Sequence, residues 1–140
     1  MKDLVIVAGV RTPIGNFGGA LKDVLPQRLG ELVVREVIGR SGLDPRLIEE
    51  VIFGCVGQPS NALNIARVIA LQAGLPIGTP AYTVQRNCSS GLQPFVIAFQ
   101  NLQSHDADVQ IVGGVESMSR APYLSRDMRW GKHLRHAEFI

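Results

Sequence analysis

An α/β domain with a mainly parallel sheet and helices on both faces is the fold class this sequence predicts, on three observations. Short apolar runs alternate with longer segments of helical periodicity. The resulting order, β-α-β-α-β-α-β, becomes a mainly parallel sheet once each crossover takes the usual right hand. At 140 residues, 46% of them hydrophobic and 19% charged, the chain has the size and composition to bury a core of its own.

The elements follow in order. A first buried strand is expected over residues 4–10, closed by Arg11-Thr12-Pro13, where Pro13 offers the ladder no donor. After a glycine-rich stretch (Gly15, Gly18, Gly19) a helix is expected over about 28–40. Its Leu29, Leu32, Val33 and Val37 share one face, and Gly42 suits its C-cap. Asp44 caps a short helical turn that Pro45 opens. A second strand over 51–56 leads to a helix over 61–73, stopped by Gly74 and Pro76. The third strand is 81–84. A helix over about 89–103 follows, with Leu92, Phe95, Val96, Phe99 and Leu102 at helical spacing. The fourth strand, 109–112, ends in Gly113-Gly114, and from Ser117 onward the apolar pattern gives way to Arg-rich, loop-like sequence.

Several function classes drop out. A net charge of +2 with scattered Lys and Arg gives no nucleic-acid footprint, and the loose basic cluster at 126–135 reads as a solvated loop. No G-x-G-x-x-G and no P-loop occurs, so Gly15–Gly19 reads as a flexible turn. His133 and His136 lack ligand partners at a metal-binding spacing. His105, beside Asp106 and Asp108, suits the C-terminal end of the third helix. The run Leu4-Val5-Ile6-Val7-Ala8 is too short for a signal peptide or a membrane span, which makes a cytoplasmic, reducing location the simplest expectation.

In parallel sheets the chemistry gathers at the carboxyl ends of the strands, here 11–19, 57–61, 85–90 and 113–118. Of the two cysteines, Cys55 lies within an apolar strand and reads as a small buried hydrophobe. Cys88 falls between a strand and the first turn of a helix, in Asn87-Cys88-Ser89-Ser90-Gly91. Orphan N–H groups and the helix dipole favour a thiolate there, and the small neighbours leave room for a carbonyl. The backbone N–H of Cys88 is a candidate oxyanion donor. Position alone leaves two readings open, a covalent nucleophile and a structural cysteine at a helix start.

The flanking residues carry a resemblance. Thr83-Val84-Gln85-Arg86-Asn87-Cys88-Ser89-Ser90-Gly91-Leu92-Gln93 resembles the active-site cysteine segment of thiolases, and Gly113-Gly114-Val115-Glu116-Ser117-Met118-Ser119-Arg120-Ala121-Pro122-Tyr123 resembles their second signature. Val10-Arg11-Thr12-Pro13-Ile14-Gly15 and Asn64-Ile65-Ala66-Arg67 fit in the same order, so the resemblance spans essentially the whole chain. It implies a five-layered αβαβα fold of two similar halves, each with a five-stranded mixed sheet. Residues 1–116 would form the first part of the N-terminal half and 117–140 the start of an inserted loop domain, with the fifth strand and the C-terminal half absent.

By the same resemblance Cys88 takes the acyl group from a 3-ketoacyl-CoA, or an acetyl group in condensation, and coenzyme A collects it. No permanently bound cofactor, metal, nucleic acid or membrane is implied, and the full-length family forms homo-oligomers, dimers or tetramers. The family's base, second cysteine and oxyanion groups come from Asn-Glu-Ala-Phe, Gly-His-Pro and Cys-x-Gly segments, none of which this sequence contains. The 140 residues alone are therefore expected not to turn over. Two positions depart from the family pattern: Gln85 stands where Asn is usual, and Pro94 where Ala is usual. In a helix starting at Ser89, Pro94 would cost about 3 kcal/mol and displace Cys88. That departure and the absent second half motivate a competing reading, a non-catalytic remnant or interaction module. A ketoacyl-synthase-type condensing enzyme, with the same fold and nucleophile, is disfavoured by the 113–123 segment.

Overall fold

The structure is a computed structural model and describes residues 2–126 and 128–131. Helix α1 spans Pro26–Ser41. Pro26 opens it because the N–H that proline lacks would have no intrahelical partner at that position. Gly42 closes it at φ 67°, its N–H donating to the Ile38 carbonyl. Asp44 caps the single turn Pro45–Leu47, as expected. The Arg46 guanidinium and N–H hold its carboxyl down at a pKa of about 2.

Strand β1 is Glu50–Gly54, α2 is Ile65–Gln72, β2 is Ala81–Val84, α3 is Gln93–Ser104 and β3 is Gln110–Gly114. The sheet order is β2-β1-β3, with both pairings parallel. Gly54 is the register partner of both Val84 and Gly114, so the three carboxyl ends finish level on one edge.

Alternation along β1 divides the packing between two faces. Val51 and Phe53 join Ile111 in one apolar cluster with Val34 of α1 and Ile65, Ala66 and Ile69 of α2. Ile52 points the other way, towards α3, which contacts both β1 and β3. There the Asn101 amide donates to the Glu50 carboxylate at 2.6 Å and to Gln110 Oε1 at 3.1 Å. Helices thus cover both faces, as the sequence predicts.

Three expectations need correction. Residues 4–10 form no strand; Leu4, Val5, Ile6 and Val7 are exposed. A strand exists only by its ladder partners, and this segment is held from its start instead, where Lys2 and the Gln103 amide exchange hydrogen bonds. Between the segment and the free edge of β3 lies a cleft of about 830 Å³, walled by α1 and α3. Second, α2 begins at Ile65 rather than 61, because Asn64 caps it by accepting from the Arg67 N–H.

Third, α3 begins at Gln93 rather than 89. Residues before it form successive tight turns, with the Ser89, Ser90 and Leu92 N–H groups donating to the Arg86, Asn87 and Ser89 carbonyls. Pro94 then occupies the first helical turn, where proline removes no helical hydrogen bond. The expected penalty and its displacement of Cys88 do not arise.

Beyond β3 the described chain contains two single 3-10 turns, Met118–Arg120 and Met128–Trp130. His133, His136 and the end of the basic cluster lie outside the described residues. Among the described residues no helix is long and apolar enough to cross a membrane.

Candidate active site

Three segments meet at the carboxyl edge of the sheet: 55–57 after β1, 85–92 after β2 and 115–117 after β3. Cys88 lies in the second, with an exposed thiol. It stands five residues ahead of α3, on the turn before the helix rather than in its first turn, so the helix terminus is not its immediate neighbour. What presents it is the turn itself. Arg86 and Cys88 form an isolated parallel β-bridge within the turn, and no further acceptor for the Cys88 N–H occurs among the turn and loop hydrogen bonds of the described residues.

Asn87 and Ser90, both within the cysteine segment singled out in the sequence, shape that turn. Asn87 has φ 47°, in the left-handed region that asparagine tolerates better than most residues. The Ser90 side chain is buried; its hydroxyl oxygen accepts from the Arg86 N–H at 2.8 Å, and its O–H donates to the Asn87 carbonyl at 2.7 Å. The turn is thus closed from inside while Cys88 faces outward. An asparagine directly before a candidate nucleophile was the available signal. The burial of Ser90 had none, since serine is ordinary in turns.

Asn87 therefore yields a prediction. Asn87→Gly should leave stability unchanged or slightly raised, whereas Asn87→Val should cost about 1–2 kcal/mol through the left-handed strain of a β-branched residue. Urea denaturation of the two variants checks it, and equal midpoints would contradict it.

Glu116 links the segment after β3 to the segment after β1, the central strand. Its carboxylate accepts from the Val56 N–H at 2.8 Å and the Gly57 N–H at 3.1 Å. The Val115 N–H donates to the Gly54 carbonyl, and the Cys55 N–H to the Val84 carbonyl. The glycine-rich stretch after residue 11 also reaches this edge, the Gly18 N–H donating to Ser119 Oγ at 2.9 Å. Three of the four expected strand-end segments follow a real strand; the first, 11–19, follows the unpaired one.

Cys55 is a different thiol. It is 1% exposed, and burial, with Glu116 nearby, pushes its pKa from the usual 9.0 to about 11. The folded state therefore favours the neutral thiol. Its contribution to stability is complete below pH 9 and is lost as pH climbs towards 11. Wild type should lose more stability than Cys55→Ala between about pH 8 and about pH 10.5, measured by urea midpoint. Parallel losses would contradict this. Iodoacetamide should label Cys88 first and Cys55 only on unfolding. No group of three or more His, Cys, Asp and Glu able to hold a metal occurs among the described residues.

The family model for "Thiolase, N-terminal domain" matches residues 4–139. The β-ketothiolase BktB of Cupriavidus necator is 47% identical over 99% of this chain and 36% of its own length. An acetyl-CoA acetyltransferase of Syntrophomonas wolfei is 42% identical over 93% of this chain and 33% of its own. The crystal structure of the Bacillus anthracis acetyl-CoA acetyltransferase superposes with a TM-score of 0.91 at 45% identity, over 96% of this chain and 34% of that one. The sequence spans about a third of the length of these relatives.

Proposed function

The chain belongs to the thiolase family, matching its N-terminal domain, and on that premise we propose that Cys88 is the nucleophile of acyl transfer between CoA thioesters. The observation that carries this is the presentation of Cys88: an exposed thiol on an internally closed turn, at the edge where three parallel strands end. The names of the relatives, a β-ketothiolase and acetyl-CoA acetyltransferases, support a 3-ketoacyl-CoA or acetyl-CoA substrate.

In thiolysis the Cys88 thiolate attacks the 3-keto carbon and forms a bond from Sγ to it. The Cys88 N–H donates to the oxyanion that develops. When the tetrahedral intermediate collapses, the bond between the 2- and 3-carbons breaks, its electron pair goes to the α-carbon of the departing acetyl-CoA, and that carbon takes a proton. The acyl group stays on Cys88 as a thioester until the thiol of coenzyme A removes it. Condensation runs the same steps in reverse from acetylated Cys88.

Residues 1–140 contain no Asn-Glu-Ala-Phe, Gly-His-Pro or Cys-x-Gly segment. The base, the carbon acid and the rest of the oxyanion hole are assigned to a second half outside this sequence. Residues 1–116 are assigned to the N-terminal half and 117–140 to the beginning of its loop domain. The proposal places the protein in the cytoplasm as a homo-oligomer exchanging CoA and acyl-CoA, with no permanently bound cofactor. The reading as an inactive remnant loses one of its supports, since Pro94 sits without penalty in the first turn of α3.

Incubation of the 140-residue chain with acetoacetyl-CoA and CoA tests this. The expected result is one stoichiometric acetyl group on Cys88 with no steady-state thiolysis. Continuous turnover by these residues alone would overturn the division of labour.

A further inference from the structure

Resting on the assignment of Cys88 as nucleophile, we propose that Gly54 and Gly114 are positioning residues, together forming the seat that fixes the Cys88 turn. Gly54 ends β1, Gly114 ends β3, and the two are register partners. A Cβ on Gly54 would lie 2.0 Å from the Ser90 carbonyl oxygen, 2.3 Å from its carbon and 2.9 Å from the Gly91 nitrogen. All three are backbone atoms, so no side chain can swing aside. A Cβ on Gly114 would lie 3.1 Å from the Gly91 Cα. The Ser90–Gly91 peptide, two residues beyond Cys88, therefore rests directly on the two strand ends.

The requirement is for space rather than for backbone freedom. The positive-φ glycines among the described residues are Gly18, Gly42, Gly74 and Gly131, and neither seat glycine is among them. The seat is also rigid. The Val115 N–H donates to the Gly54 carbonyl at 3.0 Å, and Glu116 clamps the Val56 and Gly57 N–H groups just beyond. A side chain at position 54 cannot push β1 away, because β1 is the central strand, paired on both sides. The turn must retreat instead, by about 1 Å, which in an oriented reaction is worth about 100-fold in rate.

The test compares Gly54→Ala, Gly114→Ala and a core control, Val34→Ala, which loosens the cluster beneath α1 away from the turn. Two rates are measured at Cys88 in each folded protein: acetylation by acetyl-CoA, which needs an oriented thiol, and alkylation by iodoacetamide, which needs only an exposed one. Their ratio should fall about 100-fold in Gly54→Ala and about fivefold in Gly114→Ala. In Val34→Ala it should stay within about twofold, whatever its stability. A folded Gly54→Ala with the wild-type ratio overturns the proposal. If Gly54→Ala does not fold, an unchanged ratio in Gly114→Ala overturns it equally.

The nucleophile assignment fails separately, if wild-type Cys88 accepts no acetyl group. The seat is then decided by amide exchange at Ser89 and Ser90, whose N–H groups donate to the Arg86 and Asn87 carbonyls. Faster exchange in the glycine variants than in Val34→Ala supports the seat, and equal exchange removes it.

Discussion

Cys88→Ala is expected to eliminate acyl-enzyme formation while leaving the fold intact. The side chain is exposed, and no hydrogen bond to its sulfur occurs among the described residues. Its removal should change stability by less than about 0.5 kcal/mol, as for other surface substitutions. The chemistry has no substitute. Once the attacking sulfur is gone no covalent intermediate forms, and loss of a nucleophile in an acyl-transfer site costs at least about 10⁴-fold. Cys88→Ser should also be severely impaired, because a serine hydroxyl does not ionise as a thiol does. Cys55→Ala should show the reverse pattern: acylation retained, and stability reduced by about 1–2 kcal/mol for a small cavity beside β1. Mass spectrometry of the acylated chain and urea denaturation separate the two. Acylation surviving in Cys88→Ala would contradict the assignment.

Phe53→Ala is expected to give the largest loss of stability, about 3–5 kcal/mol. Phe53 is 2% exposed, in the middle strand of the sheet. Its ring lies so close to Gly113 that a Cβ there would come within 2.9 Å of it. The ring spans the gap between β1 and β3 on the face that α1 and α2 cover. Alanine would leave a void that two hydrogen-bonded strands and a helix pair cannot close by moving. A domain of this size has about 5–15 kcal/mol in all, so a measurable unfolded fraction at room temperature is expected only for a change of this kind. Phe53→Leu, which keeps most of the volume, should cost less than about half as much. Equal denaturation midpoints for wild type and Phe53→Ala would show that this face is not the core.

Much of this architecture is readable in the residues. Strand β2 lies where the apolar run predicts it, and β1 and β3 within a residue or two. Gly42 and Asp44 act as the caps their chemistry suggests, because caps depend on local backbone geometry. The start of α3 was also legible in principle: proline prefers the first turn of a helix, and Pro94 marks the true beginning better than the apolar spacing does. Residues 4–10 show the limit. Their composition is that of a strand, but pairing is a property of neighbours, and across the cleft no described strand reaches them.

The site divides in the same way. Cys88 could be found from its context, a cysteine between a strand and a helix within small residues that leave room for a substrate carbonyl. The feature expected to activate it, the first turn of the helix, lies further along the chain. What Ser90, Gly54 and Gly114 do could not be read, although Ser90 and Gly114 lie within the two quoted signatures. Their roles arise from the approach of one strand's turn to the ends of two others, which no local pattern encodes.

The most direct measurement is peptide mapping after incubation of the chain with radiolabelled acetyl-CoA. The predicted result is a single thioester-linked acetyl group on the peptide carrying Cys88, released by hydroxylamine, with none on the peptide carrying Cys55. Label on Cys55, or a folded chain whose Cys88 takes no acetyl group, would contradict the assignment of Cys88 as the nucleophile.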